Sequence, residues 1–170
     1  APTTARTCMC TAPAPVPAAK GTEMLCKLTE IAISNPRTPN YLLVGALIGL
    51  ERHAAYHSQL PGEQKKKLMV TLNKVLTADK LEGDFTPEVR EWVYTRAASA
   101  VATTKNPGFI KGLAKRVADD TLSLETRAAI LAELPKLNPQ PGQDYGPLIA
   151  KTAIELASEI GKEEAEIATK

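Results

Sequence analysis

The chain has 170 residues, with 44% hydrophobic content and 21 Lys and Arg against 19 Asp and Glu, enough for one ordinary core or a short stack of helical units. A formal charge of +2 excludes a strong single-sign field, so no dedicated nucleic-acid or anionic-membrane surface is expected. Aromatic residues at 4% exclude a stacking platform for single-stranded nucleic acid and an aromatic-rich β-sandwich.

Residues 1 to 20 are nearly all Ala, Pro, Thr and Cys, with Pro13, Pro15 and Pro17 alternating with small residues. Proline removes backbone donors and small side chains bury little, so this stretch reads as an extended tail or linker before a folded domain over 21–170. The opening Ala1 gives a lean toward an exported protein whose leader has been removed, or toward a segment of something larger.

From Gly21 onward apolar residues recur every three or four positions, the period of an amphipathic helix and not of a strand. The spacing predicts a first helix over about 21–34 that buries Met24, Leu25, Leu28, Ile31 and Ala32 and stops at Asn35-Pro36. A second starts at Thr38-Pro39, Thr capping and Pro in the first turn, and runs to about 58 through Leu43, Leu47, Leu50 and Ala54. Its apolar run Tyr41 to Leu50 spans roughly 15 Å as a helix, too short to cross a bilayer. A third, over about 61–78, carries Leu68, Met69, Leu72, Val75 and Leu76.

Thr86-Pro87 opens a fourth helix with Val89, Trp92, Val93, Ala97, Ala100 and Val101 inward, and Asn106-Pro107 a fifth with Phe109, Ile110, Leu113 and Val117. Ser123 caps a sixth carrying Thr126, Ala129, Ile130 and Leu134. After the Pro139-Gln140-Pro141-Gly142 loop, a seventh runs over about 146–160 with Leu148, Ile149, Ala153, Leu156 and Ile160. Gly45 and Gly49, four apart, are expected to let helix backbones approach closely.

The start signals at Thr38, Thr86 and Ser123 superpose at offsets of 48 and 37 residues, the size of a two-helix repeat. Val89-Arg90 followed by a small, Ala-rich face, and Thr126-Arg127 followed by another, resemble the second helices of HEAT/armadillo α-solenoids. The resemblance covers about residues 21 to 160 and implies an all-α solenoid of about three and a half stacked helix pairs in a right-handed superhelix. It also implies that an Asp shortly before each Arg helps tie repeats together, here Asp84 with Arg90 and Asp120 with Arg127. The first unit departs, with Asn35 and Leu42 in those places.

Little in the sequence points to catalysis. GxSxG, P-loop and dinucleotide-binding signatures are absent, and no cofactor is expected. His53 and His57, four apart, would share one helix face and could hold a divalent metal, though HExxH is absent and partly exposed helix-end residues are the plainer reading. Cys8 and Cys10 are too close for a thioredoxin motif, and Cys26 reads as a small core residue. Lys65, Lys66, Lys67 and Lys74, with Lys111, Lys115 and Arg116, could contact phosphates, but interspersed acids favour a solvated outer face.

What the resemblance implies is a non-enzymatic scaffold that presents its second helices to another protein. Opposite the apolar stripe on those helices stand Arg52, Glu91, Thr95, Arg127 and Lys136, a mixed-sign set that suits a protein partner better than a polyanion. Neither end shows a polar cap, so the chain is also expected to belong to a longer array or complex.

Overall fold

The computed structural model describes residues 19–78, 81, 85–137 and 145–168. Among the described residues it is helical without strands: α1 (Ala19–Ser34), α2 (Asn40–Ala55), α3 (Gly62–Thr77), α4 (Pro87–Thr103), α5 (Ile110–Val117), α6 (Leu124–Leu131) and α7 (Gly146–Ala168). Short 3-10 turns lie at His57–Gln59, Pro107–Phe109 and Leu134–Lys136.

Two of the predicted caps form. Thr86 Oγ1 accepts from Val89 N at 3.4 Å, and Ser123 Oγ accepts from Thr126 N at 3.2 Å, each satisfying an orphan amide of a first turn. Thr38 does not cap α2, because Pro39 takes the cap position and offers no side-chain acceptor. At its other end α2 stops at Ala55, short of 58: Pro61 holds Leu60 extended, and the 3-10 turn before it drops Leu60 into the core. Helix α1 begins at Ala19, inside the stretch read as tail, and α7 continues past 160 to Ala168. Cys8, Cys10 and the rest of residues 1–18 lie outside the described residues.

Helix α1 packs on α2, α3 on α4 and α5 on α6; the odd helices also touch one another in succession, as do α2, α4 and α6. Ion pairs set the direction of these rows. Glu23 with Lys67 (3.3 Å) and Glu30 with Lys74 (2.7 Å) share one 44-residue offset, so α1 and α3 run parallel. Between α2 and α4, the Glu51 carboxylate accepts from Arg96 Nη1 at 2.9 Å and Ser99 Oγ at 3.1 Å. The result is a helical, repeat-like arrangement in which every helix has a neighbour in its own row and one in the other.

The core runs along the seam between the rows, through Leu43, Leu47, Leu50, Leu68, Leu72, Val93, Tyr94, Leu113 and Ile130. Buried Ala97, Ala98, Ala100 and Ala102 keep α4 thin enough to sit close to its neighbours. Val93 and Tyr94 are buried, while Trp92, expected beside Val93, sits half-buried at the edge.

Helix α1 is rotated from its expected setting. Met24 and Ile31 are exposed, and Thr22, Cys26, Thr29 and Ala32 face inward. In that rotation Glu23 and Glu30 meet Lys67 and Lys74 of α3, and Thr22 meets His53 of α2. Of the two α2 glycines, only Gly49 meets a neighbouring helix: a Cβ there would lie 2.8 Å from both Leu25 methyl carbons. Gly45 faces open space, with nothing within 4 Å of an added Cβ. Gly45→Ala is therefore expected to stabilise the fold by about 0.5–1 kcal/mol, from the backbone entropy that glycine loses in a helix. A urea titration checks it; a loss of stability would mean that this side of α2 is covered.

Candidate functional site

A shallow groove on the even-numbered row is the candidate for contact with another molecule. Its volume is about 250 Å³, and Trp92, Thr95, Arg96 and Ser99 of α4 line it with Glu133, from just after α6. These α4 positions recur at three and four residues, one helix face that the Val93–Ala97 core stripe leaves outward. The Arg96 guanidinium stands over the Trp92 ring, 5.2 Å from its centroid, and is held there by Glu51 of α2. Lys136 Nζ bonds both Glu133 carboxylate oxygens at 2.8 Å, so a second ion pair lies at the opposite rim. The groove thus offers an aromatic surface between charges of both signs.

The sequence-predicted residues divide. Thr95 lines the groove, Lys136 reaches it through Glu133, and Arg52 stands exposed on α2. Glu91 serves the fold instead. Its carboxylate accepts from Ser123 N (2.8 Å), Ser123 Oγ (2.6 Å) and Thr126 Oγ1 (2.7 Å), pinning α4 to the first turn of α6. Burial pushes the Glu91 carboxyl up, but these hydrogen bonds outweigh it and hold the group below the usual carboxylate range.

The buried arginines depart from the sequence expectation. Arg127 is 5% exposed and is not held by Asp120, which lies at the surface; Nε donates to Val117 O at 2.6 Å, while Nη1 and Nη2 grip Glu159 of α7 at 2.5 and 3.1 Å. Asp84 is outside the described residues, and among those described Arg90 Nε is buried with no hydrogen-bond partner. Arg116, grouped by sequence with the surface lysines, is 3% exposed. Its Nε donates to Leu76 O at 2.7 Å and Nη2 to Ala78 O, at the C-terminal end of α3, while Nη1 meets Asp119 Oδ2 at 2.6 Å. Arg116 thus donates to two carbonyls at the end of α3 and Arg127 to one at the end of α5, and each adds a carboxylate. No motif in the sequence marks Arg116; only the neighbouring helix end explains it.

Glu159 carries a consequence for pH. The hydrogen bonds from Arg127 lower its pKa, so the folded state holds fewer protons than the unfolded chain, and its stabilisation is full above the unfolded carboxylate range, about 4.3. That contribution is lost as pH falls through the depressed folded value. Glu159→Gln is accordingly expected to weaken the docking of α7 at pH 7 and to approach wild type as the pH falls below the depressed folded value, read by urea titration along a falling pH series. A variant effect independent of pH would remove the ion pair as its cause.

The other candidates lose their open chemistry. His53 Nδ1 lies 2.6 Å from Thr22 Oγ1, and burial lowers its pKa. His57 belongs to the 3-10 turn after α2, so the shared helical face expected of the pair is broken at Tyr56. Among the described residues no three His, Cys, Asp or Glu side chains gather to hold a metal ion. Lys67 pairs with Glu23 and Glu63, Lys74 with Glu30, and Arg116 is inside, which thins the expected phosphate-binding strip. Cys26 is buried on α1, and burial raises its thiol pKa. Among the described residues no helix is long and apolar enough to cross a membrane. Neither family models, nor curated proteins, nor solved structures give a match to this chain.

Proposed function

We propose that these helices form an α-solenoid of the HEAT/armadillo kind, about three and a half repeats long, and that the chain is a non-enzymatic scaffold binding another protein through its even-numbered row. Support for the solenoid comes from the parallel α1 and α3, the matched caps at Thr86 and Ser123, and the arginines that close the ends of α3 and α5. The observation that carries the function is the groove at Trp92. A half-buried Trp beneath an Arg is the kind of anchor that dominates protein interfaces, and the mixed charges at its rim suit polar pairing with a protein segment. Arg52, Thr95 and Lys136 remain in the proposed contact set; Glu91 leaves it, since reversing its charge would disturb the fold.

The test uses the full chain immobilised and offered an extract of the cells that make it. Arg96→Ala and Trp92→Ala, each checked for helicity, are expected to lose the proteins that wild type retains, while Lys111→Ala, on an odd helix, keeps them. Equal retention by all three variants would move the interface away from this row.

A further inference from the structure

Helices α1 and α2 approach each other along one face of each. A Cβ on Gly49 would lie 2.8 Å from the Leu25 methyl carbons, and one on Gly21 would lie 3.4 Å from His53 Cε1. Gly49 and His53 are four apart on α2, as are Gly21 and Leu25 on α1, so the two helices run antiparallel with His53 against the first turn of α1. Thr22 in that turn is fully buried, and its hydroxyl stands 2.6 Å from His53 Nδ1. His53 itself is half-buried.

A neutral imidazole suits this place better than an imidazolium. With the ring proton on Nε2, Nδ1 accepts from the buried hydroxyl; a second proton makes Nδ1 a donor and obliges the hydroxyl to turn about. The added charge also sits on a ring whose Nδ1 edge is packed on α1 and is only partly hydrated. Carboxylates of the adjoining helices are engaged elsewhere: Glu23 of α1 by Lys27 and Lys67, Glu63 of α3 by Lys67, and Glu51 of α2 by Arg96 of α4. Lys20, Arg52 and His57, near the same helix ends, bring no negative charge. The carbonyls in the last turn of α2 favour a cation, but burial outweighs them and lowers the His53 pKa.

We propose that His53 is an acid-sensitive latch, closed on Thr22 while the ring is neutral and released by its protonation, so that α1 loosens from α2 while the other helices stay packed. The unfolded ring takes up a proton near pH 6.5 and the folded ring only at lower pH. The contact therefore contributes fully above that value, and its contribution falls as the pH drops toward the folded one. Carboxylates ordinarily titrate near pH 4, so between pH 7.5 and 5.5 the Glu23–Lys67 and Glu30–Lys74 pairs still tether α1 to α3 and the opening is partial. The latch is separate from the Trp92 groove, and the inference does not depend on the scaffold reading.

Imidazole proton signals and amide hydrogen exchange of the full chain between pH 7.5 and 5.5 test it. The His53 ring is expected to titrate below about pH 6.5. Over the same span the amides of Leu25, Cys26 and Leu28 are expected to lose protection, corrected for the intrinsic rate, while those of Val93 and Ala97 on α4 keep it. His53→Gln, which can still accept from Thr22, is expected to abolish the change, and His57→Gln to leave it. Titration and exchange of the wild-type chain decide the matter even where the His53 variant fails to fold. A ring that titrates at or above the ordinary value overturns the proposal. So does α1 protection that is flat with pH, a loss shared equally by α4, or a loss that survives in His53→Gln or vanishes in His57→Gln.

Discussion

Arg116→Ala is expected to lower the free energy of unfolding by about 3 kcal/mol or more, a large share of the stability of a domain this size. The guanidinium is almost fully enclosed, and three of its nitrogens hold Leu76 O, Ala78 O and Asp119 together, so its loss takes a donor from Leu76 O, leaves Ala78 O to the Tyr94 hydroxyl, and leaves a part-buried carboxylate without its cation. Asp119 keeps the hydrogen bonds from Thr121, which places the loss toward the lower end of that range. Arg116→Lys should recover little, because an ammonium on a flexible stem cannot serve three acceptors in a fork. Urea denaturation measures both; a loss under about 1 kcal/mol for the Ala variant would mean that water reaches those carbonyls.

Tyr94→Ala should cost about 3–4 kcal/mol, whereas Trp92→Ala, two residues away, should cost about 1–2 kcal/mol. Tyr94 is 1% exposed, its hydroxyl donates to Ala78 O at 3.3 Å, and its ring lies under Arg116, 4.0 Å from centroid to guanidinium carbon. Trp92 touches the core along one edge only and leaves the other to the groove. Because Tyr94 and Arg116 share Ala78 O and stack on each other, the double variant should lose less than the two single losses together. Unfolding of Tyr94→Ala can be followed through Trp92, the single tryptophan of the chain. Equal losses for Tyr94→Ala and Trp92→Ala would place both rings in one environment, contrary to the packing.

Part of the candidate site could be read without coordinates. Thr95 was reachable because the polar side of an amphipathic helix follows from its apolar period, and it lines the groove, whereas Lys136 lies in the 3-10 turn after α6 and meets the groove only through Glu133. Glu91 satisfies the same period and has a different fate, because the caps of α6 lie within reach of its carboxylate. Arg96, the residue that shapes the groove, was visible only as one charge among many. Its partner Glu51 lies 45 residues earlier, and no local pattern joins the two.

The order and type of the helices, the caps at Thr86 and Ser123, and the buried leucines of α2 and α3 were all legible along the chain, whereas on α4 the period placed Trp92 inward and missed buried Tyr94. Those features depend on contacts within one or two turns or on a three-to-four residue period, and both are local. Packing between helices, in contrast, set how far α1 turned from its expected face and which carboxylate Arg127 would hold. The first brings together ion pairs 44 residues apart, and the second rests on Glu159, 32 residues away. A helix fixes which side chains share a face, but only its neighbours fix where that face points; a buried cation likewise takes whichever acceptors the packing brings within about 3 Å of it.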